Sequence, residues 1–187
     1  MEIEKHEIRK EDLYNTLERT TAWIENCDTK ASIILGGIGV VLSILLASDY
    51  IKKIAEIFKS MIDNTGCWAY LFIIACALSA GTFIVGTFFI TRVLIPKTEI
   101  TEFSEEGITT ESLIFFAAIS KNKSFQSYQS KLDDYSEKDL LKDIKSQIYI
   151  CSIICDEKFK NYNRGLAISI LGFTALVVLM IIGALIA

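Results

Sequence analysis

The sequence predicts an all-α protein with three transmembrane helices whose cytoplasmic extensions form a helical bundle. Three observations carry this. Three apolar runs are each long enough to cross a bilayer, which takes roughly 18–20 residues for about 30 Å of hydrocarbon. The polar stretches between them repeat apolar residues at helical spacing, with no strand pattern. The 187-residue chain contains a single proline, so long unbroken helices are allowed.

Residues 1–30 read as a cytoplasmic N-terminal helix. Leu13, Leu17 and Ile24 share one stripe, and no breaker separates them from the first span at 31–48, "ASIILGGIGVVLSILLAS", which carries no charge. Thirty residues rich in acids and bases precede that run, so it reads as an internal anchor and not as a cleaved signal. Residues 49–65 form a short outer connection with Ile51, Ile54, Ile57, Phe58 and Met61 at amphipathic spacing, suited to the interface plane. The second span is 66–95, interrupted only by Arg92. Residues 96–164 read as a cytoplasmic helical sensor region. It opens on an acidic loop around Gly107 and continues with a short helix in "LIFFAAI", expected to dock its two phenylalanines. A second amphipathic helix, "SFQSYQSKL", follows. Ser136 and Asp139 resemble a capping box, after which Leu140, Ile144, Ile148, Cys151, Cys155, Phe159 and Tyr162 keep helical register. That helix is expected to run without a break into the third span, 165–187, over roughly 75 Å at 1.5 Å per residue.

Cations near the spans orient the chain. Arg19, Lys30, Arg92, Lys97, Lys158, Lys160 and Arg164 lie on one side, against Lys52, Lys53 and Lys59 on the other. The excess places the N-terminus and the long middle segment in the cytoplasm. Charge and composition also exclude functions. The net charge of −4 gives no basis for binding nucleic acid. The one histidine, His6, lies in the charged tail, and there is no H-E-x-x-H and no G-x-S-x-G, so no catalytic constellation is expected. The five cysteines form no C-x-x-C pair and read as reduced, buried thiols; Cys151 and Cys155 lack a companion ligand for a metal. "GGIG" at 36–39 sits inside a span and is no phosphate loop. Small residues four apart, Ser32 with Gly36, Ala77 with Gly81 and Thr82 with Gly86, instead predict close helix packing.

Asp28 and Lys30, at the mouth of the first span, stand apart from the rest. A lysine there snorkels to headgroups, but an acid gains nothing beside an anionic leaflet. A cation from the third helix, Lys158 or Arg164, is the expected partner of Asp28, in a pair suited to positioning helices or to holding an anionic or polar ligand.

Four pieces, in order, resemble the Pycsar membrane effectors: "WIENCDTKA" before the first span, "RVLIPK" at the exit of the second, "FFAAIS" with "SFQSYQSKL", and "SQIYICSIICDEKFKNYNRGL" entering the third. One departure is Ala117-Ala118, where the family pattern has Gly-Asp. The resemblance implies an antiphage effector of the bacterial inner membrane. It implies activation by cyclic UMP or cyclic CMP from a partner pyrimidine cyclase, and killing of the infected cell by loss of membrane integrity. The ligand so implied carries one negative charge and a flat base, and needs a cation and an aromatic face. Lys30, Lys97, Lys158 and Arg164 are the candidate cations, with Lys30 expected on the ligand phosphate or a neighbouring helix; Trp23, Phe116, Tyr149 and Tyr162 are the candidate faces, with Phe116 favoured as ordinary core. It implies no enzymatic cofactor. A homo-oligomer in the bilayer is expected, because three spans alone do not enclose an aqueous path. Two other classes fit the same composition: a ligand-independent holin-like or toxin-like protein, and a structural membrane subunit of a larger complex.

Overall fold

The computed structural model describes residues 9–97, 103 and 105–186. His6 and most of the start of the acidic loop, 98–102, lie outside them. Six helices follow in order: α1 Lys10–Leu45, α2 Ser48–Thr65, α3 Cys67–Val93, α4 Phe116–Ile119, α5 Phe125–Asp133 and α6 Glu137–Ile186. No strand occurs among the described residues. α1, α3 and α6 are each long and apolar enough to cross a membrane.

α1 is one 36-residue helix and α6 one 50-residue helix, each continuous from its polar segment into its apolar one. The start of α6 shows how the sequence sets this. The Ser136 hydroxyl accepts from the Asp139 backbone N–H (3.2 Å), and Asp139 Oδ2 in turn accepts from the Ser136 N–H (3.3 Å) and hydroxyl (2.5 Å). These bonds satisfy donors that a helix N-terminus otherwise leaves open. They also hold the Asp139 carboxyl below its usual range. α5 is capped in the same way by Ser124, which accepts from the Ser127 N–H. α3 ends one turn before Pro96, which cannot continue a helix. Gly66, at φ +55°, makes the turn from α2 into α3, a conformation that strains other residues.

The chain divides into two compact units. The described residues up to Asn26, together with Pro96–Glu157, form a polar unit; Cys27–Ile95 with the residues from Lys158 onward form an apolar unit. In the polar unit, Ile150 and Ile154 of α6 pack against Ile24, Phe103, Ile108, Phe115 and Ala118. Only one phenylalanine of "LIFFAAI" docks. Phe115 joins this core, whereas Phe116 is 66% exposed, which corrects its assignment as core. The helical part is a single turn, and neighbours on one turn face apart, so the two rings cannot both turn inward.

The apolar unit has two cores. Cys27 and Ala31 of α1 meet Ile90 and Val93 of α3, flanked by Phe159 and Tyr162 of α6. Further along, Met61 of α2 meets Phe72 and Cys76 of α3, with Ile57, Phe58, Leu176, Leu179 and Met180 around them. The apolar face of α2 therefore packs on α3 and α6. Of the glycines expected in close packing, Gly86 of α3 takes part in it, whereas Gly36 and Gly81 do not. A Cβ on Gly86 would strike the Ser169 backbone, one on Gly165 would come within 2.8 Å of the Gly86 carbonyl, and one on Gly172 would strike Phe83. Gly36, Gly37, Gly39 and Gly81 have open space where a Cβ would stand. The tight seam thus runs between α3 and α6 along Gly165, Ser169 and Gly172, and the "GGIG" of α1 takes no part in it. Among the cysteines, Cys27, Cys76 and Cys155 are buried and Cys151 half-buried, but Cys67 at the start of α3 is exposed, against the expectation of buried thiols throughout.

Candidate functional site

The acid at the mouth of the first span has its partner on α6. Lys158 Nζ lies 2.6 Å from Asp28 Oδ1 and 2.5 Å from the Val93 carbonyl oxygen, to both of which it donates. Each participant is placed by a helix. Asp28 sits between Cys27 and Ala31, both fully buried, so its turn of α1 is pinned against α3. Val93 is the last residue of α3, and its carbonyl is one of the acceptors that a helix C-terminus leaves unpaired. A cation at that end also opposes the negative pole of the helix. Lys158 thereby ties α1, α3 and α6 together at one level. Its side chain is only 8% exposed, against 37% for Asp28. A charge that buried persists only when paired and hydrogen-bonded, and here it has both.

The other sequence-identified residues scatter. Within the apolar unit, Tyr162 packs beside the pair against the Cys27–Val93 core, while Lys30 and Arg164 are exposed and make no ion pair among the described residues. Within the polar unit, Trp23 is 60% exposed, and Lys97 forms an ion pair with Glu157. Within the apolar unit, Asp28, Lys158 and Tyr162 are brought together, and Lys30 and Arg164 form no ion pair with them.

A second polar centre, in the polar unit, had no sequence signal beyond a charged residue on a helix stripe. Asp143 of α6 is fully buried. Its Oδ2 accepts from the Ser112 hydroxyl (2.9 Å), the Leu113 N–H (3.0 Å) and the Tyr135 hydroxyl (2.8 Å). The Ser112 oxygen in turn accepts from the N–H groups of Ile114 and Phe115, forming the turn that starts α4. Asp143 Oδ1 and the Gln147 amide nitrogen, one turn apart, are buried without a hydrogen-bond partner among the described residues. Burial, reinforced by the Asp143 carboxylate, pushes the Tyr135 phenol well above its ordinary value. One turn further along α6, Ser146 accepts from the Thr109 N–H. The segment 109–113 is thus laced to α6 by side chains. Burial raises the Cys151 and Cys155 thiols, so they remain protonated and poor metal ligands. No cluster of metal-ligating residues occurs among the described residues.

Fold and site together define a helical membrane protein with three spans, a polar helical unit, and a buried ion pair that locks the three spanning helices. Comparison with known proteins narrows the class. The model of the Pycsar effector protein domain matches residues 12–186, and the chain belongs to that family. It is 33% identical over 167 residues to the Pycsar effector protein GmPycTM of Gulbenkiania mobilis, with 83% of each chain covered. It is 26% identical over 181 residues to the Pycsar effector protein EcPycTM of Escherichia coli, covering 97% of this chain and 94% of that one. No solved structure matches.

Proposed function

We propose that this protein is an antiphage defence effector of the bacterial inner membrane, with its N-terminus and polar unit in the cytoplasm. On infection it senses cyclic UMP or cyclic CMP from a partner pyrimidine cyclase. It then impairs membrane integrity as a homo-oligomer, so that the cell dies before phage release. It carries no catalytic machinery of its own. Membership of the Pycsar effector family supports the defence role. The observation that carries the mechanism is helix continuity: α1 and α6 each contribute unbroken helix to both units. A ligand that binds one arrangement of the polar unit better than another shifts the population of that arrangement, and unbroken helices bring that bias to the spans. Asp28 and Lys158 sit where those helices enter the apolar unit, and we assign them the coupling step. Lys30 and Arg164, exposed at that level, are available to an anionic ligand or to headgroups.

The test is a binding screen of the detergent-solubilised protein by calorimetry against cyclic mononucleotides and cyclic dinucleotides, joined to dye uptake in cells expressing a pyrimidine cyclase. Binding of cyclic UMP or cyclic CMP with cyclase-dependent permeabilisation supports the reading. Permeabilisation without a cyclase marks a ligand-independent toxin; neither response marks a structural subunit. A reporter after the third span that is active only in the periplasm supports the topology.

A further inference from the structure

The polar unit contains a cleft of about 230 Å³ between the 110–113 segment, the end of α4 and α5; its polar lining is Thr110, Glu111, Ser112, Lys121, Asn122 and Lys131. We infer that this cleft is the ligand-sensing site, that it takes a cyclic mononucleotide with its phosphate on Lys121 and Lys131, and that Glu111 is the internal anion the phosphate displaces. The inference rests on the reading above that the protein senses such a nucleotide.

Charge gives the first argument. Lys121 is exposed at the rim and has no ion-pair partner among the described residues. Lys131 is held only by Glu111, at 3.3 Å, and the two side chains are 45% and 83% exposed. An ion pair that wet is weak and exchanges readily. A phosphodiester monoanion meets two cations here, and its one competitor is a carboxylate free to swing into water. The cations singled out in the sequence do not line this cleft, and Lys158 and Lys97 are already paired with carboxylates.

Size gives the second. Sites for drug-sized ligands run from about 300 to 1,000 Å³. At about 230 Å³ the cleft lies below that range, which favours a mononucleotide over a cyclic dinucleotide of twice its size.

The third is what lies beneath. Ser112 and Leu113 form the floor, and both donate to the buried Asp143 of α6. A ligand that draws Lys131 away from Glu111 acts on the residue next to Ser112. The disturbance therefore reaches the helix that continues into the third span through one neighbouring residue and one hydrogen bond.

The experiment is calorimetry on the full chain in detergent, with cyclic UMP and cyclic CMP as probes and inorganic phosphate, linear UMP and a cyclic dinucleotide as controls. Each variant is first checked for unchanged helicity, which these exposed positions permit. Lys121→Gln and Lys131→Gln are expected to weaken cyclic-mononucleotide binding about tenfold or more, the loss of one charge-assisted contact. Glu111→Gln is expected to tighten it a few-fold by removing the competing anion, a sign that a merely structural role does not produce. If the wild type binds but all three variants match it, the site lies elsewhere and the sensing reading stands. If Glu111→Gln weakens binding as the lysine variants do, displacement is wrong. A cyclic dinucleotide that binds more tightly and loses affinity in the lysine variants overturns the size argument. If no cyclic mononucleotide binds the wild type, the site and the reading fall together.

Discussion

Lys158 and Asp28, 130 residues apart, form an ion pair whose two halves differ sharply in access to water: 8% of the lysine side chain is exposed and 37% of the aspartate. The asymmetry makes the two halves unequal under mutation. Asp28→Ala strands an ammonium that retains only the Val93 carbonyl, whereas Lys158→Met leaves a carboxylate that still reaches water. Breaking a fully buried pair costs about 3–5 kcal/mol, and this half-wet one falls below that range. Thermal unfolding in detergent, followed by circular dichroism, should show Asp28→Ala as the more destabilised variant. The double variant Asp28→Ala with Lys158→Met should recover part of the loss. Equal losses, or a double variant worse than either, contradict the geometry.

The α3–α6 seam makes the second prediction. Gly172→Ala places a methyl against the Phe83 backbone, and Gly165→Ala places one against the Gly86 carbonyl and Ile90. Backbone cannot yield as a side-chain end does, so the helices must separate, at about 1–3 kcal/mol or more. Gly37→Ala, with open space at its Cβ, is the matched control and should leave the melting temperature unchanged or slightly raised, since alanine favours helix. Comparable destabilisation at Gly37 contradicts the assignment of the seam.

How far the sequence carried this result depends on which forces act locally. Helix starts were legible because caps are short-range: Ser136 with Asp139 sit at their sequence spacing whatever the tertiary fold. The continuity of α6 was legible because its apolar stripe never breaks register. The partner of Asp28 was narrowed to two cations, and geometry chose Lys158, which faces the α3 terminus. Of the packing glycines, Gly86 was placed correctly and Gly36 and Gly81 were not, because the small-xxx-small pattern occurs on several faces of α1 and α3 and only the fold decides which face meets a neighbour. Asp143 was missed because a buried acid and a solvated one look alike in a helical stretch; its donors come from residues 31, 30 and 8 positions away.

Asp143 and Tyr135 give a pH-dependent prediction. The Tyr135 phenol is raised in the folded protein, by burial first and then by its hydrogen bond to Asp143. An unfolded tyrosine ionises near pH 10. Below that value both states hold the proton and the stabilisation is complete. As pH rises beyond about 10 the unfolded chain sheds the proton and the folded chain keeps it, so stability falls. Hydrogen exchange in α6 around Asp143 should quicken with pH above 10 beyond the intrinsic base-catalysed rise. Tyr135→Phe should be weaker at neutral pH, by about 1 kcal/mol for one lost hydrogen bond, but show a flatter alkaline limb. An identical alkaline limb in the variant removes Tyr135 as its cause. Asp143→Ala should be worse than Tyr135→Phe at every pH, because it also leaves the buried Ser112 hydroxyl and Leu113 N–H without an acceptor.

The last prediction concerns a face of α1 that no described residue covers. Ser32, Gly36, Gly39 and Ser43 fall at spacings of four, three and four, so they lie on one stripe of the helix. All four are exposed, and neither glycine has an atom near the place of a Cβ. Glycine in a helix interior forfeits about 1 kcal/mol relative to alanine, a loss usually offset where another backbone comes close. Here no described segment of the same chain comes close, whereas Gly86, Gly165 and Gly172 each have such a neighbour. The proposed homo-oligomer supplies one: α1 of a second copy. Gly36→Leu and Gly39→Leu should then leave the protomer's melting temperature unchanged or raised while shifting cross-linked species towards monomer in membranes. Gly81→Leu, also in open space but on α3, should not shift them. Oligomer bands that persist in both α1 variants move the interface to another face of the protein. Monomer in the wild type, with and without a cyclic nucleotide, removes the oligomer itself.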